Sequence, residues 1–235
     1  WGAELIYTWL VPAATAALWM GLPVVLELHD RITGRLGPWW FTQYIRARGK
    51  KRMLFITEAL RSRLETDNQI HFKLDEIQIA PNGVDLERYE GLPDPAEARR
   101  LLGFPQKLTV LCTGHLYAGR GVELFLRLAE HFPQAGFTWV GGKPAEVEKW
   151  KADSARLGNV RFTGFIPNER IPLHQAAGDV LLMPYERKIA TSSGGNTAEV
   201  CSPMKMFEYM AAGRAILSSD LPVLREVLDE NTAVF

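Results

Sequence analysis

The sequence predicts an α/β protein of two doubly wound parallel-sheet domains facing a cleft. Two observations carry this. Short apolar runs alternate with helix-patterned stretches along the whole chain, the rhythm of strand–helix–strand units. A polar, Pro-rich stretch, Gly91-Leu92-Pro93-Asp94-Pro95, interrupts the rhythm and reads as a linker. The expected domains are therefore residues 1–90 and 91–235. Ligands of such sheets bind outside the strand C-terminal ends.

In the first domain, Leu5 to Leu26 is a run of 22 residues without a charge, long enough to span a bilayer. Pro12, Gly21 and Pro23 interrupt it, so a helix over Leu10–Met20 and a buried strand over Pro23–Leu28 fit better. His29-Asp30 ends that strand, and a Gly/Pro-rich loop runs to Pro38. A helix is expected over Trp39–Gly49, a strand over Arg52–Thr57, a helix over Glu58–Thr66 capped by Thr57, and a strand over Glu76–Ala80. The chain starts at Trp1 inside what reads as a helix and ends on an apolar run at Phe235, so both domains are expected to be incomplete.

After a turn at Pro81–Asp85, a helix over Ala96–Leu102 opens the second domain. Strands are expected at Leu108–Gly114, Phe137–Gly141, Val160–Thr163, Asp179–Pro184, Ala215–Ser218 and Ala233–Phe235. Helices are expected at Val122–Phe132, Ala145–Leu157, Ile171–Ala177, Pro203–Ala212 and Pro222–Leu228.

Composition narrows the function. With 47% apolar residues the chain can bury sizeable cores, and Lys+Arg equals Asp+Glu at 27 each, so no basic field argues for nucleic acid. The two cysteines, Cys112 and Cys201, form neither a disulfide framework nor a CxxC knuckle, which fits a cytoplasmic protein. The aromatic run Pro38-Trp39-Trp40-Phe41 is a candidate for peripheral membrane or lipid contact, and equally a half-buried core segment.

The densest signal is Ser202-Pro203-Met204-Lys205-Met206-Phe207-Glu208-Tyr209-Met210-Ala211-Ala212-Gly213. Ser202 suits a helix N-cap, Pro203 the first helical position and Gly213 the left-handed stop. Met204, Phe207 and Ala211 share one face, expected inward, with Lys205 and Glu208 on the other. The polar, Gly-rich loop Glu186–Cys201 runs into this helix, whose orphan N–H groups and dipole favour phosphate. Glu208 lies roughly 9 Å further along at 1.5 Å per residue, about the reach from a diphosphate to its ribose. The same pattern also suits a solvated surface helix with a Lys/Glu pair.

A second anion site is read in Thr113-Gly114-His115-Leu116-Tyr117-Ala118-Gly119-Arg120-Gly121-Val122, a Gly-rich strand-to-helix loop. Arg120 and Gly121 replace the Lys and Ser/Thr of a P-loop, and the glycine spacing is not G-x-G-x-x-G. Walker-type hydrolysis and hydride transfer are both disfavoured. One guanidinium at a helix start remains, able to hold a diphosphate with two N–H groups. No Asp-x-Asp pair offers a divalent-metal site.

These stretches resemble family 4 (group 1) retaining glycosyltransferases, whose fold is GT-B, with two Rossmann-like domains. Residues 202–213 are similar to that family's "SPLKLFEYMAAG" signature, Thr113–Gly121 to its phosphate loop and Ile79–Asp85 to its interdomain "PNGVD". Gly178–Tyr185 and Ser219–Glu226 resemble its late strand and the segment after the signature. The resemblance implies transfer of a sugar from a nucleoside-diphosphate sugar to an acceptor hydroxyl, with retention and without a metal or other cofactor. The acceptor class stays open between glycan, lipid-linked and small-molecule. By the same resemblance Glu208 binds the donor ribose and Arg120 the diphosphate. Gly114 and His115 belong to the phosphate loop. Ser202, Pro203, Met204 and Lys205 form the phosphate-binding helix start, where the Met204 and Lys205 amides contribute. His29 faces the donor from the first domain, and Glu199 is the candidate for orienting the sugar. Two departures stand out: Val200 occupies the position of a family glutamate, and His115 that of a common arginine. The fragment is expected to bind nucleotide weakly and to be inactive alone. Alternatives are a nucleotide-sugar epimerase of the same fold and a non-catalytic nucleotide-binding or scaffold module.

Overall fold

In the computed structural model, residues 2–189 and 196–235 are described. The chain divides into two compact units, residues 1–82 with 199–202, and residues 83–198 with 203–235. The expected linker Gly91–Pro95 lies inside the second unit, ahead of its first helix.

The first unit alternates β1 (Ile6–Thr8), α1 (Val11–Trp19), β2 (Val24–Leu28), α2 (Gly37–Arg46), β3 (Lys51–Phe55), α3 (Glu58–Asn68) and β4 (Ile77–Ile79). The four strands are parallel, in the order β1-β2-β3-β4. Val24, Leu26 and Leu28 alternate inward with Met53 and Phe55, and Phe41, Tyr44, Leu60 and Leu64 from the helices close over them. Each such side chain fully buried contributes about 1.5–3 kcal/mol. Pro12 falls in the first turn of α1, where its missing N–H costs nothing. Thr57 caps α3 as expected, its Oγ1 accepting from the Leu60 N–H at 3.1 Å. Residues 199–202 complete this unit. Val200 is in its core, and the Val200 carbonyl accepts from Thr57 Oγ1 at 2.9 Å.

The second unit contains α4 (Pro95–Leu102), β5 (Thr109–Thr113), α5 (Val122–His131), β6 (Gly136–Val140), α6 (Pro144–Asp153), β7 (Val160–Phe162), α7 (Ile171–Ala176), β8 (Val180–Met183), α8 (Met204–Ala212) and β9 (Ala215–Ser218). Its parallel sheet runs β7-β6-β5-β8-β9. The chain steps outward from β5 to β7 and then returns to the other side of β5. The order therefore reverses between β5 and β8, the place where doubly wound sheets open a ligand crevice. Phe125 of α5 packs against Phe137, Trp139 and Phe162 on one face. Asp179 ties the start of β8 to β5 and α4, accepting from the Thr109 N–H and from Arg99 Nη1, both at 2.7 Å.

The structure corrects several expectations. The beginning of the chain does not read through as helix: residues 6–8 form β1, a three-residue strand too short to leave a clear pattern. Pro222–Leu228 is a chain of turns. Its hydrogen bonds alternate between three- and four-residue closures, Leu224 N to Leu221 O and Leu228 N to Leu224 O among them. Ala233–Phe235 contributes a single bridge, Leu217 to Val234. Ser202 does not cap α8, because its hydroxyl accepts from the Asn82 N–H at 3.2 Å and Pro203 takes the N-cap position. The inward face of α8 is Lys205, Met206, Tyr209 and Ala212, whereas Met204 is 58% exposed. No helix among the described residues is long and apolar enough to cross a membrane, and the apolar run at 5–26 resolves into β1, α1 and the start of β2.

Candidate functional site

At the reversal point of the second sheet, β5 ends in Thr113 and the chain enters the loop to α5. Two glycines of this loop are obligatory on steric grounds. A Cβ on Gly121 would lie 1.6 Å from the Pro184 carbonyl oxygen, and one on Gly119 1.9 Å from that of Lys188. Both have φ of 82°, which L side chains rarely adopt. The loop thus lies backbone to backbone against the segment leaving β8.

Between these glycines sits Arg120. Its Nη1 donates to the Tyr185 hydroxyl at 2.9 Å, and its Nε is buried without a partner among the described residues. Lys205, in the first turn of α8, is buried, and its Nζ donates to the Thr113 carbonyl at 3.3 Å. The same Nζ lies 3.6 Å from Cys112 Sγ and 4.4 Å from the centre of the Tyr185 ring. Burial pushes the Cys112 thiol up, while the Lys205 charge opposes the shift. Among the described residues neither Arg120 nor Lys205 has a carboxylate within ion-pair distance. Two cations therefore converge on one tyrosine without a counter-ion.

A polar relay lies behind them. The Tyr209 hydroxyl accepts from the Thr113 N–H at 2.8 Å and fastens α8 to the end of β5. Burial drives its phenol well above the ordinary range. Glu208 accepts from Gln175 Nε2 at 3.0 Å, and Gln175 Oε1 accepts from the Tyr89 hydroxyl at 2.9 Å. Burial raises the Tyr89 phenol, and the Glu208 charge raises it further. The relay orients one edge of the Glu208 carboxylate. Ahead of these residues, Met204 and Lys205 open α8 with N–H groups that have no partner within the helix.

Arg120, Lys205 and Glu208 are thus gathered at the ends of β5 and β8. Gly114 accepts from Trp139 Nε1 through its carbonyl at 3.0 Å. His115 is exposed and stacks on Tyr117 with centroids 4.9 Å apart. Pro203 and Met204 begin α8, while Ser202 belongs with the first unit. The Lys205–Glu208 pair of the alternative surface-helix reading does not form, because the two side chains go to Thr113 and Gln175.

His29 and Glu199 belong to the first unit. His29 Nε2 lies 3.0 Å from Glu27 Oε1 at the edge of a cavity of about 790 Å³, lined also by Trp9, Leu10, Leu36 and Trp40. The Glu199 side chain is 64% exposed, 3.8 Å from Arg63 Nη1. Of the loop Glu186–Cys201, residues 190–195 lie outside the described residues. Tyr185, Gln175 and Tyr209 were not singled out from sequence. A buried glutamine in the apolar helix α7 was the available signal, since a buried amide must find partners.

This fold and this end of the sheet have counterparts among known proteins. Residues 107–235 match the family described as glycosyl transferases group 1. The chain belongs to that family. It is 30% identical over 115 residues to a GDP-mannose-dependent alpha-(1-6)-phosphatidylinositol monomannoside mannosyltransferase of Mycolicibacterium smegmatis, covering 46% of this chain and 30% of the relative. It is 33% identical over 134 residues to a 2-deoxystreptamine glucosyltransferase of Streptomyces kanamyceticus, covering 52% of this chain and 33% of the relative. Anabaena Alr3699/HepE in complex with UDP superposes with a TM-score of 0.74 at 18% identity, over 98% of this chain and 64% of that one. The two parallel-sheet units have the fold of GT-B glycosyltransferases. The chain spans about a third of the length of these curated relatives.

Proposed function

We propose that this chain carries the donor site of a family 4 retaining, metal-independent glycosyltransferase. It would move a hexose from a nucleoside-diphosphate sugar to an acceptor hydroxyl. The observation that supports this most is the pair of uncompensated cations, Arg120 and Lys205, at the reversal point of a parallel sheet, with the Glu208 carboxylate on the same helix. Such a site suits an anion followed by a diol. The diphosphate takes the cations and the free N–H groups of α8, and both ribose hydroxyls donate to Glu208.

In this reading the chemistry is electrostatic. As the bond from the anomeric carbon to the diphosphate breaks, negative charge grows on the leaving oxygen. Arg120 and the start of α8 are already oriented to receive it. The acceptor hydroxyl attacks from the face the diphosphate leaves and gives its proton to the leaving phosphate, which retains the configuration. Arg120 supplies charge that a divalent ion would otherwise provide. By the family resemblance Glu199 is the candidate for orienting the sugar, and His29 is the first-domain histidine that faces the donor. The relatives and neighbours named above involve GDP-mannose and UDP as nucleotides, and phosphatidylinositol monomannoside and 2-deoxystreptamine as further groups. Base and acceptor class are therefore the variables to test.

The experiment is a metal-free thermal-shift panel of nucleoside diphosphates, nucleotide sugars and NAD. Ligand at a hundred times its Kd stabilises by about 2.7 kcal/mol. One diphosphate should raise Tm, and Glu208→Ala or Arg120→Ala should abolish the rise. A rise that survives both substitutions refutes the assignment. Isomerised donor formed without acceptor would make the protein an epimerase.

A further inference from the structure

Arg120 and Lys205 both approach Tyr185. The guanidinium reaches the hydroxyl, and its Cζ lies 5.4 Å from the ring centre, whereas the ammonium lies 4.4 Å from that centre. The ring face is the negative end of an aromatic quadrupole, and the phenol oxygen is an acceptor. One neutral side chain thus fixes two cations without cancelling either charge. A carboxylate in its place would hold them more strongly but would compete with any anionic ligand. Tyr185 is buried, so its position is set by packing. It also follows Pro184, whose carbonyl abuts Gly121, so the segment that carries the tyrosine registers the Arg120 loop as well. The buried Arg120 Nε has no partner among the described residues, so these satisfy the guanidinium only in part.

We propose that Tyr185 is a positioning residue for diphosphate binding, holding Arg120 by its hydroxyl and Lys205 by its ring face as a two-cation seat. The proposal rests on the donor-site reading above and adds to it a residue and a selectivity: the seat takes a diphosphate in preference to a nucleoside. Tyr185→Phe removes the hydroxyl and keeps the ring. Tyr185→Leu removes both.

The test is calorimetric titration of UDP, GDP, ADP, CDP and dTDP, with the nucleoside of whichever binds, into the wild-type chain and both variants. The Arg120–Tyr185 hydrogen bond and one buried cation–π contact set the scale, at tenfold per 1.4 kcal/mol. Affinity for the diphosphate should fall about fivefold in Tyr185→Phe and about fiftyfold in Tyr185→Leu. Affinity for the nucleoside should stay within about twofold of wild type. Equal loss of nucleoside and diphosphate would make Tyr185 a merely structural residue and overturn the proposal. Wild-type diphosphate affinity in both variants would overturn it too. If Tyr185→Leu fails to fold, the ratio in Tyr185→Phe decides alone. If the wild type binds none of the five diphosphates, the donor-site reading falls and takes this proposal with it.

Discussion

Lys51 in the first unit and Lys205 in the second both bury their ammonium groups, and they are held in opposite ways. Lys51 Nζ donates to the carbonyls of Tyr44, Ile45 and Ala47 at 3.2, 2.7 and 3.0 Å. These acceptors lie at the C-terminal end of α2, where the helix dipole also favours a cation, and the Tyr44 carbonyl accepts from the Ala47 N–H as well. Glu76 stands 4.0 Å away. All three ammonium protons are used, so Lys51 is a closed structural cap. Lys205 has one carbonyl, a thiol and the rings of Tyr185 and, at 6.0 Å, Trp139. A buried cation with full coordination belongs to the fold. One with partial coordination and no counter-ion is available to a ligand.

The largest effect expected from breaking this contrast is on binding. Lys205→Met should weaken diphosphate affinity about a hundredfold, or about 2.7 kcal/mol. Its unfolding free energy should hold or rise, since an apolar isostere avoids burying a charge. Lys51→Met should do the reverse, lowering stability by about 2 kcal/mol as three carbonyls each lose a hydrogen bond, with diphosphate affinity unchanged. Urea unfolding and calorimetry on the two variants read both quantities, and the contrast fails if either variant moves both.

A smaller effect lies in pH. Burial holds the Lys51 ammonium below the ordinary 10.5. Between the lowered value and 10.5 the unfolded chain binds more protons, so stability should rise with pH across that window. Lys51→Met should flatten the rise, while Lys205→Met leaves it in place. The smallest effect belongs to His174, whose Nδ1 lies 2.8 Å from the Arg170 carbonyl oxygen and whose ring burial lowers below the ordinary 6.5. Its contribution is fully present above 6.5 and is lost as pH falls through the lowered value. His174→Phe should remove that acid-side slope in a pH series of unfolding curves.

The same contrast explains what the sequence did and did not disclose. Strands such as Val24–Leu28 and Gly136–Val140 were legible because a short, mostly apolar run between breakers has few other uses. Thr57 and Gly213 were legible because caps act within one turn. Lys205 was misplaced on the outer face of α8 because lysines are almost never fully buried unless paired. Its partner, the Thr113 carbonyl, comes from a strand 92 residues away. Ser202 was misread for a similar reason: it suits a cap locally, but Asn82, 120 residues distant, engages its hydroxyl. The chemistry of the candidate site was legible in residue types. Its wiring through Tyr185, Gln175 and Tyr209 was not, since it depends on which strands become neighbours.

The seam where Gly119 and Gly121 pass the carbonyls of Lys188 and Pro184 constrains how such a site can drift over generations. Carbonyl oxygens are common to every residue, so the seam cannot be relieved by a compensating substitution across from it. Descendants that need a different ligand must leave this crossing untouched and vary what projects outward. The exposed His115 and Met204 are such positions, and inherited variation at this end of the sheet should concentrate there.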